Sequence, residues 1–94
     1  MDYAASKGAI DTFTLGLARE VGAEGIRVNA VRPGIIDTDI HASSGMADRA
    51  RSQASELPMK RSGTADEVAE SIMWLLSDAA SYTTGALLDV AGGR

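Results

Sequence analysis

The 94-residue sequence lacks cysteine altogether and contains a single histidine, His41, and only four aromatic side chains. Without thiols the chain cannot form a disulfide framework or a thiolate-bound zinc site, and one histidine cannot build a multi-histidine metal centre. No apolar run approaches the roughly 20 residues that a membrane-spanning helix needs. No secretory leader is recognisable at the N-terminus. We therefore expect a soluble, cytoplasmic protein that binds no metal and no membrane.

An excess of basic residues is also missing. Nine lysines and arginines face thirteen aspartates and glutamates, which gives a net charge of −4. Nucleic-acid binding depends on clustered basic residues that neutralise phosphates, so we expect no nucleic-acid partner. Hydrophobic residues make up 45% of the chain, a share typical of globular domains rather than of disordered segments.

Apolar residues at steps of three and four predict a long helix over residues 3–23. Gly8 and Gly16 lie inside it, and each mid-helix glycine costs about 1 kcal/mol relative to alanine. We therefore expect another element to pack closely against this helix, although the alternative of a poor helix-forming sequence remains open. Gly25, at the end of "GAEG", is the expected left-handed cap.

Two short apolar runs predict strands: Ile26 to Val31 within "IRVNAVRPG", and "ALLDVAGG" at 86–93. Between them, residues 35–63 lack a strong period, with one or two short helices expected between Met46 and Leu57. "TADE" at 64–67 is a capping box that begins a helix reaching about Ser77. A strand, a crossover helix and a second strand in one sheet are normally parallel. The fold class is therefore α/β.

Tyr3 and Lys7 fall on one helical face, one turn apart. A phenol with a pKa near ~10 is a poor base at neutral pH unless its anion is stabilised, and a nearby ammonium group favours that anion. The pair is thus a candidate for acid–base chemistry. Ordinary helices also carry tyrosine and lysine at this spacing. The pair alone therefore does not distinguish a catalytic site from an ordinary helix surface.

Four features in a fixed order make the sequence resemble the short-chain dehydrogenase/reductase family, and specifically its C-terminal half. They are Tyr-x-x-x-Lys at 3–7, "IRVNAVRPG" followed by Thr38, "GTADEVAESIMWLLSDAASYTTG" at 63–85, and the terminal "LLDVAGG". Within the family, the sequence most resembles members described as sugar or polyol dehydrogenases. The resemblance implies the C-terminal part of a Rossmann-type, doubly wound parallel sheet, and a soluble NAD(P)-dependent oxidoreductase that interconverts alcohols and carbonyl compounds.

The resemblance also implies residue roles. Tyr3 matches the family's acid/base, and Lys7 matches the lysine that lowers the tyrosine's pKa and bonds the nicotinamide ribose. The expected nicotinamide contacts are Pro33, Gly34, Ile36 and Thr38. Residues 39–58 correspond to the variable loop over the substrate, which makes Asp39, His41, Met46 and Met59 candidate pocket neighbours.

Other family features are missing between residues 1 and 94. There is no glycine-rich turn for the cofactor's pyrophosphate, no serine upstream of Tyr3, and no residue that decides between NAD and NADP; Asn29 does not match the family's helical asparagine. We therefore expect the chain to be the C-terminal half of one domain, 1–94, without the dinucleotide-binding half and impaired alone. The alternative is a non-catalytic fragment that self-associates. In either case we expect a homo-oligomer formed through the exposed strand edge and the first helix.

Overall fold

The computed structural model describes residues 2–37 and 54–93, with the side chains of residues 5–37 and 54–93. The main elements along these residues are, in chain order, α1 (Asp2–Val21), β1 (Ala30–Pro33), β2 (Ile36–Asp37), β3 (Gly63–Thr64), α2 (Ala65–Leu76) and β4 (Leu87–Val90). Short 3₁₀ helices at Gly22–Glu24 and Asp78–Ala80 follow α1 and α2. The predicted short helices between Met46 and Leu57 lie mostly outside the described residues.

Helix α1 confirms the long helix predicted at the start of the sequence. It passes into a 3₁₀ turn at Gly22–Glu24, and the chain then leaves through Gly25. Gly25 has φ 78° and donates its N–H to the Gly22 carbonyl at 3.1 Å. A left-handed residue at a helix end carries least strain when it is glycine, which is why the helix stops here.

The predicted first strand is shorter than expected, because regular pairing begins only at Ala30. Residues 26–29 are irregular and Ile26 is exposed. Strands β1 and β4 are hydrogen-bonded neighbours. The Ala30 N–H donates to the Ala86 carbonyl at 2.9 Å, and the Gly34 N–H donates to the Val90 carbonyl at 3.0 Å. Residue numbers on the two strands therefore rise together, and the pair is parallel.

A second parallel pair is formed by β2 and β3, which pair Ile36 with Gly63 and Asp37 with Thr64. The sequence did not indicate either of these two-residue strands. Alternating side chains over so short a length carry no readable period. The pairing places the start of α2 beside the segment that follows β1.

The described chain forms two compact units. The first contains Met1–Ala30 with Trp74–Leu88, and the second contains Val31–Met73 with Asp89–Arg94. The buried side chains of the first unit are Thr14, Ala18, Leu75 and Ala80, and those of the second are Ala54 and Leu57. Each core is small, as expected for a chain of this length.

Burial was predicted only partly along the helices. The apolar spacing of α2 predicts that Val68, Ile72, Leu75 and Leu76 are buried. Leu75 is buried and Val68 is half-buried, but Leu76 is 71% exposed and Ile72 is exposed as well. On α1, Ile10 and Phe13 are likewise exposed. Apolar periodicity identifies the helix, whereas burial depends on what the rest of the molecule places against it.

Of the helices within residues 2–37 and 54–93, neither has both the length and the apolar character that crossing a bilayer would require.

Candidate functional site

Helix α1 places positions 3 and 7 on the same helical face, one turn apart, as the Tyr-x-x-x-Lys spacing predicted. Lys7 is half-buried. The side chain of Tyr3 lies outside the described residues. The helix is uninterrupted through this region, and the Thr14 hydroxyl donates to the Ile10 carbonyl at 2.8 Å further along. The backbone therefore supplies a regular support for the candidate acid/base pair.

The other candidate residues follow the carboxyl end of β1, in the second unit. Pro33 is exposed at the last position of the strand, Gly34 comes directly after it, and Ile36 is half-buried at the start of β2. Ligands of open parallel sheets bind beyond the carboxyl ends of strands, so Pro33 and Gly34 are in the region where a ligand is expected. Thr38 lies outside the described residues, as do Asp39, His41 and Met46.

Gly34 packs against the protein itself. A Cβ built on Gly34 would lie 2.8 Å from the Ala91 Cβ and 2.9 Å from the Ala91 Cα. A glycine permits a close backbone approach, and at Gly34 the structure places Ala91, the residue after β4, at that point. Together with the hydrogen bond to Val90, this contact fixes where the backbone leaves β1.

The segment 33–36 presents mainly apolar side chains, since Pro33 is exposed and Ile36 is half-buried. Its backbone is held by the protein itself, because the Gly34 N–H donates to the Val90 carbonyl at 3.0 Å and the Ile35 carbonyl accepts the Gly63 N–H at 2.9 Å. An apolar surface held in this way is compatible with a flat nicotinamide ring, and the contact itself stays a prediction.

Asn29 is a residue whose role the sequence analysis missed. Its Nδ2 donates to the Thr83 carbonyl at 3.0 Å, and its Oδ1 accepts the Ala86 N–H at 2.9 Å. One amide side chain thereby uses a donor and an acceptor to hold the connection that leads into β4. The available signal was a polar residue inside an apolar run, but its partners lie more than 50 residues away in the chain.

Arg27 plays a comparable part at the end of α2. Its guanidinium donates to the carbonyls of Leu75, Ser77 and Thr83, at 2.6, 3.3 and 3.4 Å. Helix C-termini carry unpaired carbonyls and a partial negative charge, so a guanidinium there is favourable. Arg27 and Asn29 thus support the scaffold of the first unit.

We expect the exchange of Asn29 for aspartate to lower the free energy of unfolding by about 1–3 kcal/mol. The carboxylate retains the bond from Ala86 but faces the Thr83 carbonyl with a second acceptor. Urea denaturation of the 94-residue chain measures the effect, with Thr84→Val as a control that removes one exposed hydroxyl acceptor, the partner of the Val28 N–H. An Asn29→Asp chain as stable as the control would contradict the proposed role.

The predicted capping box at the start of α2 is confirmed. The Thr64 Oγ1 accepts the Glu67 N–H at 3.1 Å, and the Glu67 Oε1 accepts the Thr64 N–H at 3.0 Å. Arg61 adds two further bonds to the Glu67 carboxylate, both at 2.9 Å. These bonds from Arg61, followed by the one from the Thr64 backbone, lower the pKa of Glu67 to about 2.

This capping network predicts a pH dependence. The pKa of Glu67 is lower in the folded chain than its ordinary value of 4.5, so its contribution to stability is present above pH 4.5 and disappears as the pH falls towards about 2. We expect an NMR titration of the Glu67 carboxyl to show this low midpoint. The Arg61→Met variant should raise the pKa, although the Thr64 N–H keeps it below 4.5. An unchanged midpoint in that variant would refute the assignment to Arg61.

A cavity of about 540 Å³ opens in the second unit, behind the segment that follows β1. Its apolar wall includes Ile35, Leu57, Met59, Val90 and Ala91. Its charged members are already bonded, because Arg61 holds Glu67 and Arg32 holds Asp89. Met59 lines this cavity. Its expected place beside the substrate stays a prediction.

Two parallel strand pairs and a crossover helix between β1 and β4 are typical of part of an α/β domain of the Rossmann type. A family model described as "Enoyl-(Acyl carrier protein) reductase" matches residues 1–94. The chain belongs to the short-chain dehydrogenase/reductase family.

Relatives with curated descriptions agree with this assignment. The chain is 61% identical over 94 residues to "Uncharacterized oxidoreductase YgfF" of Escherichia coli, covering 100% of this chain and 38% of that protein. It is 47% identical over 93 residues to "Glucose and ribitol dehydrogenase homolog" of Oryza sativa subsp. japonica, covering 99% of this chain and 31% of the relative. The predicted likeness to sugar and polyol dehydrogenases is thus confirmed as a likeness.

A solved structure shows the same fold. The 4-hydroxyisoleucine dehydrogenase complexed with NADH matches with a TM-score of 0.85 and 32% identity, over 97% of this chain and 38% of that chain. The present chain therefore spans somewhat more than a third of that protein and between 31% and 38% of the two curated relatives.

Proposed function

We propose that the chain provides the proton-transfer and nicotinamide-binding part of an NAD(P)-dependent oxidoreductase that interconverts alcohols and carbonyl compounds. The observation that supports this most strongly is helix α1, which carries Tyr3 and Lys7 one turn apart in a member of this family. A bound nicotinamide nucleotide supplies the hydride chemistry. NAD and NADP are both compatible with the residues of this chain.

Tyr3 acts as the general acid and base. In carbonyl reduction its hydroxyl proton passes to the substrate oxygen, which becomes the alcohol hydroxyl; in oxidation the phenolate takes that proton back. Lys7 stabilises the phenolate, because its ammonium charge lies one helical turn away. Lys7 also donates to the nicotinamide ribose in this proposal.

The segment after β1 holds the nicotinamide end of the cofactor. Pro33, Gly34 and Ile36 provide apolar and peptide contacts, and Thr38 provides a hydroxyl for the carboxamide. The proposal treats residues 1–94 as the C-terminal half of one domain and assigns the pyrophosphate-binding turn to sequence outside it. A cytoplasmic location belongs to the same proposal, which cell fractionation tests.

Cofactor binding tests this function directly. NADH and NADPH are titrated separately against the 94-residue chain, and reduced-nicotinamide absorbance is followed with ketones, aldehydes and sugars. In parallel, residues 1–94 replace the matching segment of the E. coli YgfF protein, to which they are 61% identical. We expect the hybrid to bind a nicotinamide nucleotide and turn over. A folded hybrid that binds neither nucleotide, when the parent does, contradicts the proposal.

A second candidate function is self-association, which the exposed apolar surface of α1 favours. Ile10 and Phe13 are 58% and 67% exposed, and they lie three residues apart on the helix. A Cβ added at Gly16, three residues further on, meets no described atom within 4 Å. This surface has room for the close approach of a second helix, and a two-fold dimer would cover it on both copies.

We expect the Phe13→Glu chain to have a smaller mass by light scattering at micromolar concentration than the parent chain. A charge at the centre of a covered apolar surface opposes association. Tyr82→Ser is the control, because Tyr82 is a fully exposed aromatic residue that lies away from α1 in the sequence. A parent chain that is already monomeric excludes this candidate.

A further inference from the structure

The ion pair between Arg32 and Asp89 joins β1 to β4 immediately before Pro33. The Arg32 Nε lies 2.6 Å from the Asp89 Oδ1, and the Arg32 Nη2 donates to Oδ2 at 3.0 Å. A guanidinium that bonds both oxygens of a carboxylate fixes direction as well as distance. Arg32 therefore has a defined orientation relative to β4.

Two further contacts continue from this pair along the same strand. Gly34 donates its N–H to Val90, and its Cα packs against Ala91. Arg32 thus contacts Asp89, and Gly34 contacts both Val90 and Ala91. Pro33, which has no N–H to donate, lies between Arg32 and Gly34, and both of these residues contact the β4 segment.

The pair is too exposed to serve mainly as a source of stability. The side chains of Arg32 and Asp89 are 35% and 53% exposed, and ion pairs in such surroundings contribute little to folding. Its geometric effect is more specific, because it determines how β1 ends.

We propose that Arg32 and Asp89 are positioning residues that hold Pro33 and Gly34 in place for the nicotinamide nucleotide, so that Asp89 controls cofactor affinity without contacting the cofactor. This inference rests on the proposed function. It predicts that a small change at Asp89 weakens cofactor binding while the chain remains folded. It also predicts that cofactor affinity depends on the ion pair between Arg32 and Asp89, and not on either charge by itself.

The test compares Asp89→Asn, Arg32→Gln and the exchanged pair Arg32→Asp with Asp89→Arg. Asp66→Asn, which removes one exposed carboxylate from the same unit, is the control. Titration of NADH and NADPH measures the dissociation constant of the 94-residue chain and of the YgfF hybrid. We expect each single variant to raise the dissociation constant about twofold to fivefold, which is the upper part of the range for an exposed ion pair. We expect the exchanged pair to recover most of the lost affinity.

A measurement without cofactor separates this inference from the proposed function. We expect the Gly34 amide to exchange with solvent about tenfold faster in Asp89→Asn, because local opening of the strand end becomes easier. Urea midpoints should stay close to that of the parent chain. Unchanged Gly34 exchange, unchanged cofactor affinity in the single variants, or an exchanged pair no better than Asp89→Asn each overturns the inference. A parent chain and a hybrid that bind no nucleotide contradict the proposed function, while faster Gly34 exchange would still support the positioning contact.

Discussion

Replacement of Tyr3 by phenylalanine is expected to lower turnover by about 100-fold to 10,000-fold, the usual range for the loss of a general acid or base. The substitution keeps the aromatic ring and removes only the hydroxyl, so the transferable proton is the single chemical group lost. Reduced-nicotinamide absorbance is measured in the 94-residue chain and in the YgfF hybrid that carries residues 1–94. The decrease should appear in the rate constant, because in the proposed mechanism the Tyr3 hydroxyl exchanges its proton with the substrate oxygen during the reaction.

The control for this substitution is Tyr82→Phe, which removes the hydroxyl of the other tyrosine in the sequence. Tyr82 is fully exposed and follows α2, so its variant should turn over like the parent. Cofactor affinity in Tyr3→Phe should also remain near the parent value, because Lys7 and the segment after β1 are intact. Turnover by Tyr3→Phe within a few-fold of Tyr82→Phe would remove Tyr3 from the mechanism.

Local sequence patterns predicted the parts of the fold that depend on near neighbours. Helix α1 follows from apolar spacing, its end follows from Gly25, and α2 begins at a capping box whose two hydrogen bonds join Thr64 and Glu67. Each of these features involves residues within one or two helical turns, so the sequence alone contains both partners.

Contacts between distant segments were beyond such reasoning. The bonds from Asn29 to Thr83 and Ala86 cross more than 50 residues, and the β2–β3 pairing is only two residues long. The exposure of Phe13 and Leu76 was also not predictable. Helical periodicity indicates which face of a helix is apolar, but it does not show which other element, if any, packs against that face.

The candidate site also combines a local feature that the sequence predicts with a long-range contact that it does not. Tyr3 and Lys7 could be predicted as a pair because four residues make one helical turn, whereas the environment of Gly34 could not. A proline–glycine sequence after a strand indicates an interruption, and ligand contact was its expected reason. The reason visible in the structure is Ala91, which follows a different strand.

Gly34, which directly follows β1, gives a larger expected effect on stability than the glycines of helix α1. We expect Gly34→Ala to lower the free energy of unfolding by about 1–3 kcal/mol, the usual cost of overpacking. The added Cβ would lie 2.8 Å from the Ala91 Cβ and 2.9 Å from the Ala91 Cα, so either backbone must move. Urea denaturation at neutral pH measures the loss, and Gly34 amide exchange reports the displacement of the strand end.

Gly16→Ala is the matched control, because a Cβ at Gly16 meets no described atom within 4 Å. It should stabilise the chain by up to about 1 kcal/mol, since alanine is the better helix former. The same substitution therefore has opposite expected signs at these two glycines, one inside helix α1 and the other directly after β1. Ala91→Gly combined with Gly34→Ala should recover part of the loss by removing one of the two colliding atoms, and the remaining contact with the Ala91 Cα should keep the recovery incomplete. If Gly34→Ala proved as stable as Gly16→Ala, the close packing of Gly34 against the residue after β4 would be refuted. The contact with Ala91 would then no longer explain how the segment proposed to hold the nicotinamide is fixed.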